Sequence, residues 1–171
     1  MTTNFQLEKY IKQHPLPNQV FLGVFSEDTL PNTNVKNACM IINYSPDDKD
    51  GSHWVAMSGL NTKMPLYFDS YGLRADGADS ILGWNTDFDE YLKRHSLRSP
   101  LGGNSTTGNY DYNKVDLQSW KHGEDECGEW CLWFLKHGLP SASNPCWAPY
   151  LSEKNAVARD RMIRRRIGII R

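Results

Sequence analysis

Three side chains of this sequence have the types needed for nucleophilic acyl transfer: His53 in SHWVAMS, Asp69 at the end of PLYFD, and Cys127 in DECGEWCLWFL. In such a site the imidazole takes the thiol proton, the carboxylate fixes the imidazole's tautomer and orientation, and the thiolate attacks a carbonyl carbon. Hydrogen-bond donors are also needed for the oxyanion that forms. Each residue alone has a plain structural reading. A cysteine in an apolar helix is commonly a packing residue, and Cys131, one turn on, is expected to be one. A strand histidine is commonly solvated or structural, and an aspartate at a strand end commonly forms a turn. Weight comes from finding all three together where elements can converge them.

Cys127 opens the apolar run Cys127–His137, with Glu124, Asp125 and Glu126 before it and Gly138, Leu139 and Pro140 after it. Acidic residues in front and Gly then Pro behind are helix start and stop signals. A helix N-terminus lowers a thiol pKa from its free value of about 8.5. The three acidic residues oppose thiolate formation there unless they point to solvent. Gly128 would let a substrate backbone approach closely. Residues 52–58 and 65–69 read as consecutive strands linked through Gly59 and Asn61, which puts His53 and Asp69 on neighbouring strands. Alternation along a strand sends His53 and Trp54 to opposite faces.

Around this set, residues 4–13 place Phe5, Leu7, Tyr10 and Ile11 at near-helical spacing, stopped by Pro15 and Pro17. Residues 19–25 and 39–44 read as strands, the second buried. Residues 79–96 have helical periodicity, 100–108 form a Gly/Ser/Thr-rich surface loop, 110–118 hold a short strand, and 152–167 form a final basic helix. The order argues for an α+β fold, helices flanking a central sheet, in a single domain over residues 1–171.

A net charge of −1 gives the molecule no overall field toward nucleic acid or membrane. The longest apolar runs, such as residues 131–135, fall far short of the roughly 20 residues of a membrane span. No secretory apolar segment opens the chain, so Cys39, Cys127, Cys131 and Cys146 are expected as free thiols in a reducing compartment or enclosed particle. Charge is uneven, however. The tail from residue 159 to 171 has six arginines against one aspartate. It reads as the solvated face of a helix that packs Ile163, Ile167 and Ile170 inward, or else as a phosphate-contacting element. A zinc module built on Cys127, Cys131, His122 and His137 is a further reading, although only its cysteine spacing suits zinc.

Taken together, GSHWVAM, YFDSYG, a glutamine-containing segment and CGEWCLWFL resemble the adenovirus-type maturation protease (adenain) family over residues 20–137. They are similar, more distantly, to the SUMO-deconjugating proteases. The resemblance implies an adenain-like cysteine protease fold, a circularly rearranged papain-like one, with a central mixed sheet flanked by helices and the catalytic cysteine at a helix N-terminus. It implies Cys127 as nucleophile, His53 as general base and acid, and Asp69 as orienting carboxylate. Gln118 would donate its side-chain amide to the oxyanion beside the Cys127 N–H. Gln118 stands nine positions before Cys127, farther than the family's usual spacing. Either the intervening loop is longer, or Asn113 or His122 is the donor. Trp54 would lie beside the active-site cleft, simple core packing being the other reading.

The implied activity is limited proteolysis of viral capsid and core precursor proteins during particle maturation, in the virion interior and the infected cell. Small residues, often glycine, would flank the scissile bond. The enzyme would be a monomer, off the membrane, needing no cofactor for its chemistry but open to activation by DNA or a viral peptide. Arg159, Arg161, Arg164, Arg165 and Arg166 would make the DNA contact, and Cys39 or Cys146 could bridge to a peptide. Rival readings are removal of a ubiquitin-like modifier, acyl transfer to an amine, and the non-enzymatic zinc module.

Overall fold

A computed structural model describes residues 2–44, 53–75, 91, 110–119 and 125–169. Helix α1 (Asn4–Gln13) begins with a capping box: the Thr3 hydroxyl accepts the Gln6 N–H and the Gln6 side chain accepts the Thr3 N–H. Its apolar spacing buries Leu7 and Ile11. The chain then builds a sheet in sequence order from β1 (Val20–Ser26), β2 (Ala38–Asn43), β3 (Trp54–Leu60), β4 (Leu66–Asp69) and β5 (Asp111–Tyr112). The pairs β1–β2 and β4–β5 are parallel, whereas β2–β3 and β3–β4 are antiparallel, so the five-stranded sheet is mixed. Gly59, next to last in β3, and Asn61, in the link to β4, have φ of 64° and 59°, left-handed geometry that glycine and asparagine tolerate best.

Strands β2 and β3 are buried along their whole length because each face of the sheet has its own core. On one face Cys39, Ile41, Trp54, Ala56 and Phe68 meet Leu7 and Ile11 of α1 and three further helices. These are α2 (Cys127–His137), α3 (Ala148–Ser152) and α4 (Ala156–Ile167). On the other face Met40, Ile42, Val55, Met57 and Tyr67 cluster with Leu60, Ala75 and Tyr91. Helix α2 is buried from Cys127 through Leu135, as befits a helix enclosed between sheet and neighbouring helices. Phe68 stacks on Phe134 at 4.9 Å between centroids, fixing α2 over β4.

One expectation changes. The final helix is not continuous over 152–167: α3 ends at Ser152, and Asn155 starts α4 by accepting the Ala158 N–H at 3.2 Å. An asparagine gains more as a cap than inside a helix. The short strand expected within 110–118 is Asp111–Tyr112, ended where Asn113 turns the chain by accepting the Val115 N–H. The helix read over 79–96, apart from Tyr91, and the loop over 100–108 lie outside the described residues.

Candidate active site

His53 stands one residue ahead of β3, yet its carbonyl accepts the Tyr44 N–H at 3.0 Å, so sheet pairing reaches it. In the β3–β4 register Val55 faces Asp69. Two positions further out His53 falls opposite Tyr71, with Asp69 as its diagonal neighbour on the same face. The contacts follow that geometry. His53 Nε2 lies 2.9 Å from Asp69 Oδ1, and the Tyr71 ring stacks on the imidazole at 4.8 Å and 26°. The Tyr71 N–H donates to the same Oδ1 at 2.8 Å. With Nε2 committed to Asp69, Nδ1 is the other ring nitrogen, and the Cys127 side chain is near enough to raise the His53 pKa.

The three side chains are nearly sealed from water, at 2% exposure for Cys127, 3% for His53 and 0% for Asp69. Burial pulls the His53 pKa down. The Asp69 charge, the Asp69 hydrogen bond and the Cys127 side chain outweigh it and lift the pKa to about 10. The imidazolium is therefore the favoured form, which is the charge that pairs with a thiolate.

Cys127 is the first residue of α2, and its cap, Glu126, makes no side-chain capping bond. The first-turn N–H groups of a helix have no partner within it, so this end is suited to a developing negative charge. The acidic residues do not all turn to solvent, as unhindered thiolate formation would favour. Glu126 is fully buried and its charge is met by Arg164, whose Nε lies 2.5 Å from Oε1. Glu129 is likewise buried and accepts the Thr2 hydroxyl at 2.8 Å.

Gly128 is placed differently from expectation. A Cβ there would sit 3.2 Å from both Leu7 Cδ2 and Thr2 Cβ and 3.4 Å from Trp54 Cδ1. The glycine makes room for the chain's own N-terminal residues, not for a substrate. Trp54 is 2% exposed, donates its indole N–H to the Thr2 carbonyl at 2.9 Å and belongs to the core, the packing reading of the two.

Gln118 is buried against the end of β4. Its Oε1 accepts the Ser70 hydroxyl at 2.7 Å and its Nε2 donates to Tyr71 Oη at 3.3 Å. Ser70 thus fixes which way the amide faces and leaves the NH2 group at the end toward the histidine-stacked Tyr71. Asn113, the alternative donor, spends its Nδ2 on the Asp69 and Val115 carbonyls. His122 lies outside the described residues. Tyr71 is the member that sequence reasoning missed: it touches the histidine, the aspartate and the glutamine. The strand register running into YFDSYG is the signal that could have found it.

Position decides several other readings. Cys131 is wholly buried in the core, and burial holds its thiol well above the ordinary range. Cys127 and His137 are the two ends of one 11-residue helix, about 15 Å apart, and cannot share a zinc ion. Among the described residues no three His, Cys, Asp or Glu side chains converge as metal ligands, and no helix is long and apolar enough to cross a membrane. All four cysteines are free thiols. Of the five arginines expected to face DNA, three make contacts within the fold: Arg164 with Glu126, Arg159 with the carbonyls of Asp116, Leu117 and Glu153, and Arg166 with the Trp133 ring at 5.7 Å from its centroid. Arg161, Arg165 and Arg166 are exposed.

The sequence matches no established family profile, and no curated protein matches it in sequence. Among solved structures it is similar to the crystal structure of the selenomethionine ASFV pS273R protease, with 13% identity, 99% of this chain and 67% of that chain covered, and a TM-score of 0.53. At this identity the likeness shows the fold: α+β with a five-stranded mixed sheet, the arrangement of a viral cysteine protease of the adenain and SUMO-protease type.

Proposed function

We propose that the protein is a cysteine endopeptidase in which Cys127 is the nucleophile, His53 the general base and acid, and Asp69 the carboxylate that orients it. The observation that carries this reading is the buried Asp69–His53 pair, with Cys127, the first residue of a buried helix, near enough to raise the His53 pKa. In acylation the Cys127 Sγ–carbon bond forms and the C–N bond of the substrate breaks. His53 passes the thiol proton to the leaving amine, and water then releases the acyl group through the same histidine. The oxyanion is held by the Cys127 N–H and the Gln118 amide.

Its substrates, on the strength of the family resemblance, are capsid and core precursors cut during particle maturation, in the virion and the infected cell. DNA, through Arg161, Arg165 and Arg166, or a viral peptide would act as activator. A peptide library read by mass spectrometry tests the activity. The expected result is cleavage between small residues, glycine prominent, abolished by prior alkylation with iodoacetamide. Equal cutting beside bulky residues would remove the specificity. Selective cleavage of a ubiquitin-like modifier fusion would replace the maturation role with deconjugation.

A further inference from the structure

The oxyanion donors proposed above come from two different pieces of backbone. One is the N-terminus of α2. The other is the segment carrying Gln118, which belongs to neither helix nor strand. Misplacing one donor by about 1 Å costs on the order of 10²-fold in rate, so something must fix their separation.

We propose that α4 does this, with Arg159 and Asp160 as positioning residues for the oxyanion hole; the proposal rests on the cysteine-protease reading above. Arg159 grips the segment from one side. Its Nε donates to the Leu117 carbonyl at 2.8 Å and its Nη2 to the Asp116 carbonyl at 2.9 Å, while Nη1 anchors to the Glu153 carbonyl at 2.8 Å. Asp160, fully buried, grips it from the other. Oδ2 accepts the Ser119 N–H at 2.8 Å, and Oδ1 accepts the indole N–H of Trp130 at 2.9 Å. Gln118 is thus bracketed by bonds to both neighbours. The same carboxylate ties that bracket to α2 less than one turn beyond Cys127. Four residues along α4 from Asp160, Arg164 holds Glu126, directly before the nucleophile. One helix therefore contacts the supports of both donors. Ser70 completes the frame, its carbonyl accepting the Leu117 and Gln118 N–H groups at 2.8 and 3.1 Å.

The same bonds could serve stability alone, and a double-mutant cycle separates the roles. The full chain is assayed for acylation by p-nitrophenyl acetate, which generates an oxyanion, and for alkylation of Cys127 by iodoacetamide, which does not. Gln118→Ala is expected to slow acylation by about 10²–10³-fold with alkylation unchanged. Arg159→Ala and Asp160→Asn are each expected to slow acylation about tenfold, Arg159→Lys less, again sparing alkylation. In the Gln118→Ala background Arg159→Ala should cost nothing more. An equal loss in both backgrounds, or acylation and alkylation falling together, would overturn the proposal. Should Arg159→Ala fail to fold, Arg159→Lys carries the same cycle. Alkylation of Cys127 no faster than that of the half-buried Cys146 would overturn the protease reading itself, and the proposal with it.

Discussion

The His53 imidazole is the residue whose environment most constrains the chemistry. Its folded pKa of about 10 lies above its ordinary value of 6.5. A group raised in this way adds stability in full below the unfolded pKa and loses it as pH climbs through the folded one. The melting temperature should therefore decline between pH 6.5 and 10, and Asp69→Asn, which removes the main source of the upward shift, should flatten that decline. The pH–rate profile is expected to show its basic limb near 10 in the wild type and displaced toward 6.5 in Asp69→Asn. A limb that stays in place would mean that Asp69 does not set the histidine's charge. At this scale much of the site is legible in the sequence, because His, Asp and Cys stand at ends of elements whose patterns are clear. Tyr71 is not, since stacking on His53 follows from a register no single residue announces. Nor is the pairing of Glu126, whose partner Arg164 is 38 positions away.

The strands and helices of the sheet and its cover have local signals in the sequence, and those signals agree with the fold: the Thr3 cap and apolar spacing of α1, the apolar runs of β2 and β3, and the Gly138 stop of α2. Local signals fail where long-range contacts decide. Gly128 looks like a door for substrate because nothing local shows that Thr2 and Leu7 fold back over it. The break before α4 is hidden because Asn155 reads equally as cap or helix residue until its bond to Ala158 is seen. Two substitutions test the elements. Phe68→Ala, which removes the ring stacked under Phe134, should cost about 3–5 kcal/mol in urea unfolding. Gly72 lies at φ of 74°, where a Cβ would stand 3.0 Å from the Val115 carbonyl carbon. Gly72→Ala should cost about 1–3 kcal/mol and also slow acylation, because it pushes on the chain just ahead of Gln118. Normal activity in a folded Gly72→Ala protein would argue that this segment tolerates displacement.

Across the whole molecule, the sheet brings together parts distant in sequence. One end of β3 and the end of β4 present His53 and Asp69, α2 presents Cys127, and α4 braces both α2 and the Gln118 segment. Among the described residues the exposed arginines, Arg161, Arg165 and Arg166, all lie on α4. If those arginines bind DNA, replacing Arg161, Arg165 and Arg166 with alanine should weaken the affinity read by a low-salt fluorescence titration. Its salt dependence should also become shallower, by about one unit of slope for each phosphate no longer neutralised. An unchanged titration would leave these arginines as a solvated helix face. The central claim, that Cys127 attacks peptide carbonyls, is tested most directly by incubating the proposed substrates, capsid precursor proteins, with wild type and Cys127→Ala under reducing conditions, with and without DNA. The account predicts cleavage by the wild type and a loss of several orders of magnitude in the variant. Cleavage by both at similar rates would contradict it.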